Sequence, residues 1–368
     1  MNNDHDISQQ LTDTVRTAAE KHTPLAITGN GTKRFYTGKP EGTPLDGTGH
    51  RGIVSYEPTE LVITARAGTP LAEIEAVLAN QNQMLGFEPP CFGETATLGG
   101  TIACGLSGPR RPYAGAARDF VLGTKIINGR GEILKFGGQV MKNVAGYDVS
   151  RLMVGAHGTL GALLEISLKV LPKPAKEITL TFQMPADQAI LAMNTWAGRP
   201  LPLSAACHIG DTNNMARRAS AASRATLYIR LSGTESGVRA AHTRLGGEVI
   251  ANGETFWHRL REHQHNFFQD GAALWRLSVP SATPPMDIPG QWLMDWGGAQ
   301  RWLKSDVPAE AIRATTEKAG GHASLFRDSR QGRGTHAVLP PELLSLHRQL
   351  RQAFDPNGVF CHDRHFPD

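Results

Sequence analysis

One stretch of the chain limits its fold more than any other: residues 93–110, GETATLGGTIACGLSGPR, which hold five glycines and three threonines. Glycine at this density lets a backbone come close to a ligand, often a phosphate. No G-K-[ST] follows, so the stretch is not a Walker loop, and it does not match G-x-G-x-x-G. The chain therefore has to fold so that the backbone of this loop stays accessible.

Two shorter glycine loops flank this stretch. GNGTK (29–33) follows a predicted strand over Leu25–Thr28, and GAHGTLG (155–161) precedes a predicted strand over 160–171. Successive backbone N–H groups in such turns form a nest for an anion. Together, the three loops favour a ligand whose pyrophosphate is bound mainly by amides, a long dinucleotide such as FAD. A formal G-x-G-x-x-G at 47–52 leads into a strand instead of a helix, and we interpret it as an ordinary loop.

The composition fits a globular protein of about two domains, since the 368 residues are 40% hydrophobic and 20% charged. No apolar run approaches the roughly 18 residues of a membrane span, and the polar N-terminus does not resemble a signal peptide. The cysteines lie far apart without a CxxC pair, which favours reduced thiols and a cytoplasmic location. The net charge is +4 with no block of Lys and Arg, so we expect no nucleic acid partner.

The predicted fold class is α+β, with a domain boundary at PKP (172–174), where glycine density falls. Residues 1–172 form the first domain. Residues 173–338 alternate strand-like and helix-like pieces, which predicts an α+β cap domain built on an antiparallel sheet. Residues 339–368 predict a helix and tail that return to the first domain. The apolar face of that helix is Leu343, Leu346, Leu350 and Phe354.

These motifs also resemble a known family. PLAITGNGTK (24–33), the stretch at 93–110 with RPYAGAARDFVLG after it, and VGAHGTLGALLEISLKVLP (154–172) are similar to the PCMH-type FAD-binding domain of the vanillyl-alcohol-oxidase superfamily. The likeness extends over nearly the whole chain to the E-subunit family of bacterial glycolate oxidases. Tyr147-Asp148 and DWGGAQRWL (295–303) carry that closer match. The resemblance implies a bipartite FAD-binding domain with a cap.

The resemblance also implies roles for matching residues. The first loop would wrap the FAD pyrophosphate, and the second would contact the pyrophosphate and the isoalloxazine region. An Arg-Asp pair that follows the second loop would brace the next loop. The third glycine loop would lie beside the flavin or its ribityl chain. In that order the residues are Gly29, Asn30, Gly31, Thr32 and Lys33; Thr97, Leu98, Gly99, Gly100 and Thr101; Arg118 and Asp119; Gly158, Thr159, Leu160 and Gly161.

We predict that the FAD is not covalently attached. Relatives with a covalent bond use a His in the first loop or a Cys in the second. The first loop here offers Thr32 and Lys33 but no His, and Cys104 lies beyond the Gly-Gly pair, away from the attachment position.

Candidates for contact with a 2-hydroxy acid come from the cap: Arg276 and Arg327 for the substrate carboxylate, because a guanidinium matches it bidentately, and His322 as a base. Each has the alternative of an ordinary surface or paired side chain. Hydroxy-acid-oxidising relatives carry a Gly-Asp-Gly-Asn-x-His segment near the C-terminus and paired metal-binding histidines, and this chain has neither. The catalytic residues therefore stay unassigned.

The absence of that segment favours a chain that relays electrons or supports assembly. The resemblance implies two partners, a catalytic flavoprotein subunit that oxidises glycolate to glyoxylate and an iron–sulfur subunit, with electrons passing to a membrane quinone and peripheral membrane association through the complex. Two alternatives stay open: a self-sufficient FAD-dependent dehydrogenase of a 2-hydroxy acid, and an assembly subunit that has lost FAD.

No metal site is expected. His263 and His265 lie in a predicted helix, where this spacing does not put them on one face, and CHDRH (361–365) is interpreted as a divergent tail. The tryptophans at 292, 296 and 302 have two interpretations, a protein core or a docking surface for a partner subunit.

Overall fold

The computed structural model describes residues 4–38, 41–138, 148–210, 225–328 and 339–360. Its helices, in chain order, are α1 Ser8–Lys21, α2 Arg34–Thr37, α3 Leu71–Asn80, α4 Leu98–Cys104, α5 Arg111–Ala114, α6 Ala117–Phe120, α7 Val149–Leu152, α8 Ala186–Ala197, α9 Glu235–Leu245, α10 Gly253–Arg261, α11 Ala309–Lys318 and α12 Pro341–Phe354.

The strands, in the same order, are β1 Leu25–Thr28, β2 Thr43–Asp46, β3 Ile53–Glu57, β4 Val62–Arg66, β5 Gln83–Met84, β6 Val121–Ile127, β7 Ile133–Gly137, β8 Ala162–Lys169, β9 Leu171–Pro172, β10 Lys176–Gln183, β11 Leu203–Ile209, β12 Thr226–Gly233, β13 Glu248–Val249, β14 Leu274–Ser278, β15 Gln291–Asp295, β16 Gln300–Lys304 and β17 His322–Arg327. This mixture of helices and antiparallel sheets confirms the predicted α+β class.

The chain divides into two compact units. Unit 1 is Met1–Ser107, Gly115–Lys173 and Val338–Asp368, and unit 2 is Gly108–Ala114 and Pro174–Ala337. The seven residues Gly108–Ala114 lie inside the predicted first domain, 1–172, but group with unit 2. The chain thus leaves unit 1 at Gly108, within the last three residues of the stretch 93–110, and returns to it at Gly115.

Unit 1 is built on a five-stranded antiparallel sheet of order β3-β4-β8-β6-β7, beside a short parallel pair, β1-β2. The turn NGRG (128–131) joins β6 to β7 in a hairpin. Glycines in the turn and alternating apolar residues in the flanking strands are typical of such a hairpin. Helix α1 buries Leu11, Val15 and Ala18 because their spacing places them on one face. In α3 the first helical residue is Leu71, and Pro70 is the N-cap residue.

Helix α12 belongs to unit 1, and only part of its apolar face is covered. Leu350 and Phe354 pack against a cluster of Ile126, Met153 and Leu160, whereas Leu343 is 45% exposed and Leu346 is 51% exposed.

Unit 2 is an eight-stranded antiparallel sheet of order β13-β10-β12-β11-β15-β16-β14-β17. Alternate residues of β10, β11 and β12 form one core with α8 and α9, and α11 covers β14, β16 and β17 with a second core. Trp296 and Trp302 are buried, at 6% and 5% exposed, which favours the core interpretation for these two tryptophans. Within the described parts of the chain, no helix is both long and apolar enough to cross a membrane.

Candidate functional site

A cleft in unit 1 is bounded by all three glycine loops. It encloses about 210 Å³, less than the roughly 300–1,000 Å³ of pockets that enclose a whole drug-sized ligand. The predicted residues that line the cleft are Gly29, Asn30, Gly31, Thr32, Lys33, Thr97, Gly99, Gly100, Gly158, Thr159 and Gly161.

The first loop exposes its backbone to the cleft. Among the described residues, the amides of Gly29, Asn30, Gly31 and Thr32 donate to no backbone or side-chain acceptor. Gly31 has φ 71°, a left-handed conformation that favours glycine. Asn30 Nδ2 donates to the carbonyl of Thr95 at 2.8 Å and so ties the first loop to the second. Consecutive amides without protein acceptors suit an anion with several oxygens, such as a pyrophosphate.

Two positively charged residues, Lys33 and Arg34, follow these amides, and their side chains make different contacts. Lys33 is 6% exposed, and its Nζ donates to the carbonyl of Cys91 at 3.2 Å. Arg34 is exposed and lies against the loop, since a Cβ added at Gly31 would come 2.5 Å from Arg34 Nε. Both residues line the cleft, which therefore carries positive charge beside the accessible amides.

The second loop enters the cleft at the start of α4. Thr97 caps this helix, because its Oγ1 accepts from the amide of Gly100 at 3.2 Å. Gly99 packs tightly: its amide donates to the carbonyl of Ala67 at 2.7 Å, and an added Cβ would come 2.8 Å from Ala67 Cβ. Among the described residues, the only atom within 4 Å of a Cβ added at Gly100 is Thr97 Oγ1, at 3.2 Å. Gly99 is thus needed for packing, while Gly100 opens onto the cleft.

Two predicted residues of the second loop face away from the cleft. Leu98 is fully buried, and Thr101 is 1% exposed. The hydroxyl of Thr101 has no hydrogen-bond partner among the described residues, which is unusual for a buried polar atom. These two side chains support the loop from behind.

The third loop is tied to α4 by its backbone. The amide of Gly155 donates to the carbonyl of Ile102 at 3.0 Å, and the amide of His157 donates to that of Ala103 at 3.0 Å. Gly158 and Gly161 both have positive φ, 80° and 145°. Leu160, the remaining predicted residue of this loop, lies in the hydrophobic cluster under α12.

The structure does not bring Arg118 and Asp119 to the cleft. Both are exposed on α6, and the Asp119 carboxylate accepts from the amide of Ala116 at 2.8 Å, which stabilises the start of that helix.

Cys104 lines the cleft and is held as a neutral thiol. Burial raises its pKa to about 11, and the nearby Lys33 opposes this shift. Because the thiolate is the nucleophile, a thiol with this pKa is unreactive near neutral pH.

Sequence reasoning missed several parts of the cleft wall. Gly47, which we placed in an ordinary loop, lines the cleft, as do Gly68, His157 and Arg34. Gly68 packs against the backbone carbonyls of Gly47, Thr48 and His50, with no room for a side chain. The available signal in the sequence was that Gly68 comes shortly after the buried strand β4. The sequence around Gly68 did not show which part of the backbone would pack against it.

The cap candidates lie on neighbouring strands of unit 2. Arg276 on β14 donates from Nε to Gln300 Oε1 at 2.8 Å. His322 and Arg327 lie on β17, which pairs with β14. Burial, followed by the positive charge of Arg276, lowers the pKa of His322. His263 lies in the interior of this unit. Its burial, followed by the positive charges of Arg327 and Arg276, holds its pKa well below the usual value. The structure thus places Arg276 and His322 near each other, with His322 mainly neutral at physiological pH.

Within the described ranges, no group of three or more His, Cys, Asp or Glu residues is arranged to hold a metal ion. Tyr147 and the CHDRH tail (361–365) lie outside those ranges.

The chain is similar to flavoproteins of known families. Residues 7–137 match the family described as FAD binding domain. The chain is 50% identical over 355 residues to the glycolate oxidase subunit GlcE of Escherichia coli K12, covering 96% of each chain. It is 34% identical over 129 residues to the glycolate oxidase subunit GlcD of Bacillus subtilis, which covers 35% of this chain and 27% of that protein.

The fold is shared more widely. A solved structure of p-cresol methylhydroxylase with substrate bound superposes with a TM-score of 0.70 at 15% sequence identity, covering 98% of this chain and 87% of that one.

The cleft has the accessible amides, positive charge and tight glycine turns that fit FAD, which is the cofactor of this domain family. The identity to GlcE extends over both units, and we conclude that the chain belongs to the glycolate oxidase GlcE family.

Proposed function

We propose that FAD binds in the unit 1 cleft with its pyrophosphate against the amides of Gly29–Thr32 and the charge of Lys33. The observation that carries this proposal is the run of amides that donate to no described acceptor. Gly100 lets the second loop approach the ligand, Gly99 packs that loop against Ala67, and Gly158, Thr159 and Gly161 also line the cleft. Leu98, Thr101, Leu160, Arg118 and Asp119 then act as supports.

The bound FAD is dissociable in this proposal. Cys104 is the cysteine of the second loop, and its raised pKa keeps it protonated and unreactive. The first loop contains no histidine.

The chain works as the FAD-carrying subunit of a glycolate-oxidising complex. Oxidation of glycolate to glyoxylate removes a hydride from the α-carbon and a proton from the hydroxyl, and FAD supplies an acceptor for that electron pair. A catalytic flavoprotein subunit oxidises the substrate, and an iron–sulfur subunit receives the electrons for transfer to a quinone. Two observations support this division of work: the chain lacks the Gly-Asp-Gly-Asn-x-His segment, and its GlcE relative is a subunit of glycolate oxidase. The complex is cytoplasmic, at the inner face of the membrane.

The test is co-purification of the tagged chain with its neighbouring gene products, followed by counts of flavin and iron. We expect a complex with more than one flavin and several irons, and glycolate turnover only in the assembled complex. Purification of the chain alone, without iron and without partners, would contradict the proposal.

One observation favours a second candidate, a self-sufficient 2-hydroxy-acid dehydrogenase. Arg276 and His322 lie together on the sheet of unit 2, as a carboxylate ligand and a base would. Turnover of glycolate or lactate by the purified chain with an artificial acceptor would support this candidate against the subunit role.

A further inference from the structure

Residues 4–6, Asp-His-Asp, pair with the loop 47–52, and we call them the strap. The backbones of His5 and Arg51 form an antiparallel bridge. The amide of His5 donates to the carbonyl of Arg51 at 2.8 Å, and the amide of Arg51 donates to the carbonyl of His5 at 3.1 Å. The ring Nδ1 of His5 also donates to the carbonyl of Gly49, at 2.8 Å. The strap is therefore bonded to the loop at two points.

Both carboxylates of the strap pair with a buried arginine. Arg66 is the last residue of β4, and its side chain is 9% exposed. Its guanidinium pairs with the carboxylate of Asp4 and, through Nη2 at 3.3 Å, with Asp6 Oδ2. The backbones also come close here, since a Cβ added at Gly52 would lie 2.6 Å from Asp4 Oδ1. A charge buried to this degree requires partners, so the two carboxylates attach the strap to β4 as well as to the loop.

The same loop is bonded to residues 68–69, which come shortly after β4. The amide of Gly68 donates to the carbonyl of His50 at 2.8 Å, and a Cβ added at Gly68 would overlap backbone carbonyl oxygens of the loop. The hydroxyl of Thr69 accepts from the amide of Gly52 at 2.9 Å and donates to the carbonyl of the same residue at 3.1 Å. The loop therefore connects the strap to the segment that follows β4.

The segment that follows β4 in turn holds the second glycine loop. The amide of Gly99 donates to the carbonyl of Ala67 at 2.7 Å, and the amide of Leu98 donates to the carbonyl of Thr69 at 2.9 Å. Gly68, between those two acceptor residues, lines the cleft. A continuous series of hydrogen bonds within unit 1 therefore runs from the strap, through the loop it pairs with, to the start of α4, where the second glycine loop enters the cleft.

We propose that the strap sets the position of the second glycine loop in the cleft, with Asp4 and Asp6 as positioning residues for the cofactor. They act through Arg66 and the loop that the strap pairs with, and not by contact with the ligand. The proposal rests on the proposed function only for the identity of the ligand, FAD. Releasing the strap lets the amides of Leu98 and Gly99 open more often, because the backbone that holds them is less firmly held itself.

The test compares the double variant Asp4→Asn/Asp6→Asn with the matched control Asp13→Asn. Asp13 is an exposed residue of α1 that pairs with Arg16 at 3.6 Å, so the control also loses an ion pair. Hydrogen exchange in the apoprotein is measured by mass spectrometry for a peptide covering residues 96–100, and the Kd for FAD is measured by fluorescence titration. In the double variant we expect exchange of this peptide to be about 5-fold faster and the Kd for FAD to be about 5-fold higher, with both unchanged in the control.

A third protein, Asp4→Asn/Asp6→Asn/Arg66→Met, removes the buried charge together with its partners. It keeps the test decisive if the double variant fails to fold, because no unpaired charge remains in the interior. We expect the far-ultraviolet circular dichroism of this protein to match that of the wild type. We also expect it to keep the fast exchange and the weak FAD binding, since the strap is still released. Wild-type exchange and affinity in this protein would show that the two carboxylates only neutralise Arg66, and would overturn the proposal.

Equal exchange of the peptide in the double variant and the control would also overturn the proposal, as would faster exchange with an unchanged Kd for FAD. If the wild-type chain binds no FAD, the proposed function fails, and the exchange comparison in the apoprotein still decides whether the strap positions the second glycine loop.

Discussion

Replacing Gly100 by alanine should weaken FAD binding without destabilising the protein. In the part of the chain that the structure describes, the added Cβ meets only Thr97 Oγ1, at 3.2 Å, which requires a shift of a few tenths of an ångström. Alanine in a helix is favoured over glycine by roughly 0.5–1 kcal/mol, which offsets this contact. We therefore expect the free energy of unfolding to change by less than about 1 kcal/mol. The methyl group occupies space where the ligand approaches the backbone, so we expect the Kd for FAD to rise at least 10-fold, or about 1.4 kcal/mol.

Gly99→Ala is the matched comparison, since it makes the same change at the preceding residue. Here the Cβ would lie 2.8 Å from Ala67 Cβ and 3.0 Å from the carbonyl oxygen of Ala67, and a backbone atom cannot move aside cheaply. Overpacking of this kind costs about 1–3 kcal/mol. This variant should lose stability of the apoprotein as well as affinity for FAD.

The assay for both variants is titration of the apoprotein with FAD, followed by flavin fluorescence, together with urea unfolding of the apoprotein. A Gly100→Ala protein that binds FAD as tightly as the wild type would refute the proposed place of the ligand. A Gly99→Ala apoprotein with wild-type stability would refute the packing argument.

Three further predictions follow from the buried titratable groups. Lys33→Met should raise the Kd for FAD at least 10-fold, measured by the same titration, and it should lower the stability of the apoprotein by about 1 kcal/mol because the bond from Lys33 Nζ to the carbonyl of Cys91 is lost; an unchanged Kd with lowered stability would indicate a purely structural lysine. Cys104 has a folded pKa of about 11, above that of the unfolded thiol, so the unfolded state loses its proton first and stability falls as the pH rises from about 9 to 11. Cys104→Ala should reduce that loss in urea unfolding, and an unchanged slope would contradict the shift. His263 has a folded pKa well below its unfolded value of about 6.5, so stability should fall as the pH drops below 6.5, by up to about 1.4 kcal/mol per pH unit. His263→Phe keeps an aromatic ring and should flatten this dependence between pH 7 and 5, and equal slopes would show that another group is responsible.

The repeated glycine pattern was sufficient to predict the loops of the cleft. Gly29–Lys33 and the residues around Gly100 and Gly158 line the same cleft. They could be predicted because glycine turns at strand ends are local features of the sequence. Gly47 and Gly68 were missed, since their contact with each other depends on how the loop after β2 packs against the end of β4, which is not a local feature of the sequence. Arg118 and Asp119, which the motif predicts to brace the following loop, are exposed on α6, and the sequence did not show that the Asp119 carboxylate accepts from the amide of Ala116.

The turn at Trp296 shows the same limit in unit 2. The letters DWGG predict a turn, because two adjacent glycines favour positive φ. They do not show that the tryptophan shares this conformation, or that its indole Nε1 donates to the carbonyl of Gly108. They also do not show that Arg111, which lies far away in the sequence, meets the same ring as Arg276.

The most direct test of the central claim, that this chain binds FAD in the cleft without a covalent bond, is reconstitution followed by acid denaturation. The purified apoprotein is incubated with FAD, desalted, and then precipitated with acid, and flavin is measured in the pellet and the supernatant. The account predicts about one FAD per chain before precipitation and all of it in the supernatant afterwards. Yellow colour that stays with the pellet, or a chain that retains no flavin after desalting, would contradict it.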